Sequence, residues 1–189
     1  KKEIKFSNYS KVPVVTLNDE VLVDSMKIIE HMKNTIFQNQ SNVQTLWTED
    51  TEKWILWSEL KLAVLLYPNI TRTFGESWKA FEYCKDVETW SLRDRLVNRY
   101  VGPLAMYLAN FKIKKKYGIV DERRELTELL NEWTNAIGSK KFLHGEKITL
   151  PDLMVYGVLR GIEGLPAFHF AMNGNPTLEK WYHSVQKLV

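Results

Sequence analysis

The chain has 189 residues, 44% of them hydrophobic, and 26 basic against 23 acidic residues leave a formal charge of +3. That length suits one large or two small globular domains that fold without a disulfide or metal staple, and the charge surplus is too small to argue for a nucleic-acid partner. The single cysteine, Cys84, points to a reducing compartment, no stretch approaches the ~18 apolar residues of a membrane span, and the first ten residues lack the apolar core of a signal peptide.

The first 24 residues read as strands. Residues 3–6 alternate, and the β-branched runs 12–17 and 21–23 flank the turn pair Asn18-Asp19, which is a hairpin pattern. Asp24 or Ser25 then caps a helix with Met26, Ile28, Ile29, Met32 and Ile36 on its apolar side. Residues 38–47 are polar and irregular and read as a linker. Beyond them the periodicity is helical. A long helix opens at Thr48 with Glu49, Asp50 and Glu52 in its first turn, where negative charge suits the helix dipole. Trp54, Trp57, Leu60, Val64 and Tyr67 form its apolar side, and Pro68 is expected to end it. Helices are expected over 78–83, over 87–115 with Gly118 closing it, over 121–137, and from Thr149 and from Asn175 or Pro176. Lys112, Lys114, Lys115 and Lys116 fall at a helix end, where cations complement the dipole; that explanation is preferred to an anion or membrane patch. Strands followed by helices predict an α+β N-terminal part (1–37), the linker, and an all-α domain over 48–189.

Two segments carry chemical information. A proline opening a strand lacks the ladder donor, so Lys11-Val12-Pro13-Val14 is either an edge position or a cis peptide at Val12-Pro13. The cis form would turn the Val12 main chain outward to pair with a ligand. Asp24-Ser25 places a carboxylate and a hydroxyl at a helix start, where amides favour an anion and the carboxylate can accept from an ammonium group. The pair suits the α-amino acid end of a γ-glutamyl peptide. A plain N-cap explains the same residues, and both readings stay open here.

Other motifs read as structure. Thr149 at the N-cap and Asp152 at N3 form a capping box, with Ile148 and Leu153 as its hydrophobic staple. Gly157 and Gly161 are expected to let the following helix pack closely. Cys84 has no base signature nearby and reads as a structural thiol. His31, His144, His169 and His183 share no metal-ligand spacing, so no metal is expected. No Gly-rich phosphate loop or nucleophile elbow occurs.

The Lys11-Val12-Pro13 strand, the Asp24-Ser25 helix start and the segment FLHGEKITLPDLMVYGVLR (142–160) occur in an order that resembles the glutathione transferase superfamily. Within it, YPNITRT (67–73), AMYL (105–108), YGVLRGIEGLPAF (156–168) and Trp181-Tyr182 are most similar to the branch that isomerises prostaglandin H2 to prostaglandin E2. The resemblance implies that residues 1–37 are the C-terminal part of a thioredoxin-like domain and 48–189 a transferase-like helical domain with an apolar cleft for a lipid substrate. It implies glutathione as cofactor. Val12, followed by Pro13, would pair with its cysteinyl part, Asp24 and Ser25 would hold its γ-glutamyl end, and Lys11 would neutralise a carboxylate. The branch's Cys-x-x-Cys is expected upstream of Lys1, so no catalytic residue is expected in this chain, which alone should be inactive. Val64 and Tyr67 stand where the animal enzyme has a histidine and a serine beside its haem or ligand cleft, so haem is not expected. The resemblance further implies a cytoplasmic or cytosolic-face location, with any membrane anchor outside the chain, and leaves a homodimer open. Two alternatives also stay open: a generic glutathione transferase or thiol reductase, and a non-catalytic binding module.

Overall fold

A computed structural model describes residues 6, 7, 9, 12–35 and 50–189. The chain divides into two compact units, Lys1–Thr48 and Glu49–Val189. Residues 3–5 of the first predicted strand, Ile36 and the predicted linker 38–47 lie outside the described residues; Phe6 is in a turn.

The first unit contains the predicted hairpin. Strands β1 (Val14–Leu17) and β2 (Glu20–Val23) pair antiparallel in the register Val14↔Val23 to Leu17↔Glu20. Asn18 and Asp19 make the turn with φ of 48° and 67°. Both positions need left-handed backbone, which Asn and Asp tolerate best among residues with a side chain. Helix α1 (Ser25–Thr35) follows. Among the described residues of this unit, Leu22 and Ile28 are the buried apolar ones.

The second unit is helical. Helix α2 (Thr51–Trp57), a π turn (Ser58–Leu62) and helix α3 (Ala63–Ile70) run on from one another. Pro68 therefore does not end the helix as expected; it lies inside α3, buried. Burial overrides the local preference. The adjoining Asn69 is fully buried, and its side-chain amide donates to the carbonyls of Leu65 (2.9 Å) and Glu122 (2.8 Å), tying this turn to the next helices.

Helix α4 spans Phe74–Ala80, earlier than the predicted 78–83, because Thr73 and Glu76 form a capping box there. A 3-10 turn (Glu82–Lys85) leads to the long helix α5 (Leu92–Tyr117), capped by Ser91 and ended by Gly118 at φ 68°. Lys114, Lys115 and Lys116 lie in its last turn. Helix α6 (Glu122–Ile137) starts at Asp121 and ends at Gly138; α7 (Leu150–Arg160), α8 (Pro166–Asn173) and α9 (Pro176–Gln186) complete the unit. The eight-residue α8 was not expected from the periodicity, because it is too short to show one.

The core gathers apolar stripes from α2, α3, α6, α7, α8 and α9. At its centre Trp133 packs against Trp54 and Trp181 with ring centroids 5.2 Å apart in each pair, and against Trp57 at 6.0 Å. The contacts with Trp54 and Trp181 are edge-to-face and the one with Trp57 is stacked, and such pairs add to the area the rings bury. The expected close packing at Gly157 is not found: a Cβ there would meet no atom within 4 Å. The close approach is instead at Gly102 of α5, where a Cβ would fall 2.5 Å from the Phe81 ring.

Candidate functional site

The hairpin register positions the first candidate site. The last ladder pair is Val14↔Val23, so Pro13 and Asp24 are the residues that follow it at the open end of the hairpin. The strand start and the helix start singled out in the sequence therefore meet at one end of the hairpin. The Val12-Pro13 peptide is cis, and Val12, Pro13 and Asp24 are exposed while Ser25 is half-buried. Lys11 lies outside the described residues.

Asp24 occupies left-handed backbone at φ 76°. One carboxylate oxygen, Oδ1, accepts from the Met26 amide at 3.0 Å, and the Asp24 carbonyl accepts from the Ile28 amide at 3.0 Å. The N-cap reading is thus realised. It engages a single carboxylate oxygen and leaves the residue at the surface beside the first-turn amides of α1. Those amides, with no acidic residue in that turn, are the electropositive end of the helix.

The second feature is a cleft of about 410 Å³ in the helical unit. Val64, Leu65, Ile119 and Leu129 give it an apolar floor, Glu125, Glu128 and Glu132 stand along one wall, and Lys61 is the one cation among the described residues lining it. Of the two positions singled out by the resemblance, Val64 lines the cleft and Tyr67 does not. The Tyr67 hydroxyl donates to the Met106 carbonyl at 3.3 Å and lies 2.9 Å from the Met106 sulfur, and burial pushes its phenol above the ordinary value. Among the described residues lining the cleft there is no histidine, cysteine or methionine, and Tyr117 is the one side chain of a kind that can hold haem iron. The cleft's carboxylate wall opposes haem's own carboxylates.

Thr149 and Asp152 build structure, as expected, and more of it than a capping box. The Asp152 side chain is fully buried. Its Oδ2 accepts from the Thr149 amide (3.0 Å) and hydroxyl (2.8 Å); its Oδ1 accepts from the Leu143 amide (3.1 Å) and the Trp181 indole (2.9 Å). His144 continues the network, with Nδ1 3.0 Å from the Thr149 hydroxyl and Nε2 2.6 Å from Asp50 Oδ1. Asp50 Oδ2 in turn accepts from the Trp54 indole at 3.0 Å. The start of α2, the 142–149 turn, α7 and α9 are thereby tied by one chain of polar contacts. Sequence reasoning missed Asp50, His144 and Trp181 here, since nothing in their local spacing signals a contact across 94 residues.

Cys84 is fully buried. Burial, with Cys84 adjacent, also raises the Tyr83 phenol. The chain's only thiol is therefore withheld from solvent and from any substrate.

Comparison with known proteins agrees with this architecture. The family model for the glutathione S-transferase C-terminal domain matches residues 93–188. Two curated proteins are similar over 99% of this chain: prostaglandin E synthase 2 of Mus musculus at 29% identity and prostaglandin E synthase 2 of Danio rerio at 28%. The chain spans 60% and 61% of their respective lengths. A small two-stranded sheet with a helix, followed by an all-helical unit ending in that domain, fits the thioredoxin-like-plus-helical arrangement, and the chain belongs to the glutathione S-transferase superfamily.

Proposed function

We propose that this chain is the larger part of a thiol-dependent isomerase converting prostaglandin H2 to prostaglandin E2, with glutathione bound where β1 meets α1. The observation that supports the site is the hairpin register, whose last pair, Val14↔Val23, leaves Pro13 and Asp24 as the next residues at the same end of the hairpin. The similarity to two proteins named prostaglandin E synthase 2 supports the choice of reaction.

In this reading the Val12 main chain pairs with the cysteinyl part of glutathione. The first-turn amides of α1 and the Ser25 hydroxyl take the γ-glutamyl carboxylate, and the Asp24 carboxylate takes its ammonium group. When bound, glutathione supplies a thiolate able to open an endoperoxide O–O bond and to leave again as the neighbouring C–H proton is lost, so the product is an isomer and nothing is consumed. A dithiol beyond residues 1–189 could supply the same chemistry; buried Cys84 could not. The cleft of the helical unit, with its apolar floor, is by itself a surface able to hold a hydrocarbon chain. Its acidic wall turns the substrate's carboxylate toward Lys61 or solvent.

Calorimetric titration with glutathione tests the site. Asp24→Ala should weaken binding roughly tenfold, the range of a charge-assisted hydrogen bond. Failure of glutathione to bind, or binding indifferent to Asp24→Ala, rejects the site. With prostaglandin H2 and added thiol, a rate no faster than spontaneous breakdown rejects the reaction, and conjugation of a simple aryl halide instead would mark a generic transferase. If Lys61 guides the carboxylate, Lys61→Glu should raise KM several-fold with little change in kcat.

A further inference from the structure

The polar chain from Asp50 to Asp152 fixes where its own protons lie. The buried Asp152 carboxyl accepts from the Leu143 and Thr149 amides and from the Trp181 indole. A carboxyl group serving that many N–H donors is ionised and has no proton to give. The Thr149 hydroxyl, 2.8 Å from Asp152 Oδ2, therefore spends its single proton on that oxygen. The same hydroxyl lies 3.0 Å from His144 Nδ1 and can offer that nitrogen only a lone pair. Nδ1 must then carry a proton and donate. At the other edge of the ring, Nε2 stands 2.6 Å from Asp50 Oδ1. Two lone pairs do not face each other at that distance, so a proton lies between them. Asp50 is partly exposed and its other oxygen accepts from the Trp54 indole, so Asp50 is the ionised partner and the proton sits on the nitrogen. A neutral imidazole has one N–H and satisfies only one of the two contacts.

The surrounding charges agree. Asp50 of the α2 start touches the ring, and Asp152 of α7 acts on it through Thr149. Glu52 and Lys53 on α2, and Glu146 and Lys147 in the ring's own turn, cancel in pairs. The ring also stands where its proton has something to hold. The first backbone bond of α2 runs from the Trp54 amide to the Asp50 carbonyl at 3.1 Å, and the Trp54 indole bonds the Asp50 carboxylate. From there α2, the π turn and α3 run on to Lys61, Val64 and Leu65 of the cleft. The His144 side chain is 24% exposed, so it exchanges protons with solvent directly, while the Thr149–Asp152 end of the chain is buried and fixed.

We propose that His144 is held as an imidazolium and acts as a proton-operated strap between the 142–149 turn and the first turn of α2. Loss of either ring proton sets a nitrogen lone pair against the Thr149 or the Asp50 oxygen. One of the two bonds then breaks, and the start of α2 is released. The strap is closed on the acid side of neutrality and open on the alkaline side. It does not depend on glutathione binding or on the isomerase reading.

Nitrogen-15 NMR of the whole chain, labelled at histidine, reads the proton count without any variant. At about pH 7, where an unpaired histidine is mostly neutral, both ring nitrogens of His144 should be protonated. Hydrogen exchange at the Trp54 amide, corrected for the intrinsic rise with pH, should lose about tenfold in protection between about pH 6 and about pH 8.5, the range of one charge-assisted hydrogen bond. His144→Ala should show the lower protection at both pH values. Asp50→Asn keeps an acceptor and removes the charge, so His144 should become neutral at about pH 7 and the pH response should vanish. A neutral imidazole with one N–H in the wild type at about pH 7 overturns the proposal. So does a fall in Trp54 protection with pH that His144→Ala leaves unchanged.

Discussion

Asp24 adopts a backbone conformation that most residues with a Cβ avoid, at φ 76°, and its carboxylate gives the next helix a single hydrogen bond. A side chain kept at such a position stabilises the fold less than glycine would, because glycine meets no steric cost there and loses only a few tenths of a kcal/mol as an N-cap. Asp24→Gly should therefore leave the melting temperature unchanged or raise it while weakening glutathione binding. A loss of stability with no loss of affinity would return Asp24 to a purely structural role. Asp152 behaves oppositely. Removing its buried carboxylate strands the Leu143 amide, the Trp181 indole and the Thr149 groups at once. Denaturant unfolding of Asp152→Ala should show a loss of roughly 3 kcal/mol or more. Thr149→Ala, which removes one cap, should cost about 1 kcal/mol.

At the scale of an element, α6 shows how a helix start becomes pH-dependent. The Asp121 carboxylate accepts from the amides of Arg123 and Arg124, and those bonds, Arg124's foremost, hold its pKa below the ordinary 3.8. The depressed value means that the folded chain releases this proton more readily than the unfolded one. Its stabilising contribution is complete above the unfolded pKa and disappears as pH falls through the folded one. Asp121→Asn keeps the capping geometry and removes the charge. Thermal melts should show wild type ahead of the variant at neutral pH, with the gap closing as the pH falls below the ordinary carboxylate range. Element boundaries follow the same local chemistry. Thr73 with Glu76 and Ser91 with Asp94 set the starts of α4 and α5, although the apolar pattern alone placed them at 78 and 87. Pro68 shows the converse: a local stop signal yields when the turn that contains it is buried and Asn69 bonds two carbonyls from it.

At the scale of the molecule, Trp54, Trp57, Trp133 and Trp181 join α2, α6 and α9 into one core. Trp133 has no exposed surface and touches the other three, so Trp133→Ala should destabilise the helical unit by roughly 3–5 kcal/mol in urea unfolding. Residue type and spacing alone determined the hairpin with its Asn18-Asp19 turn, the Thr149–Asp152 box, and the helices around Gly118 and Gly138. These depend on contacts within a few residues, which backbone sterics and capping dictate locally. The tertiary structure alone decided that His144 reaches Asp50, that Val64 lines a cleft while Tyr67 turns to Met106, and that the apolar side of α5 is left exposed. Each of those depends on which distant segments pack together, and a helix carries the same periodicity whether its apolar stripe meets the core or the solvent.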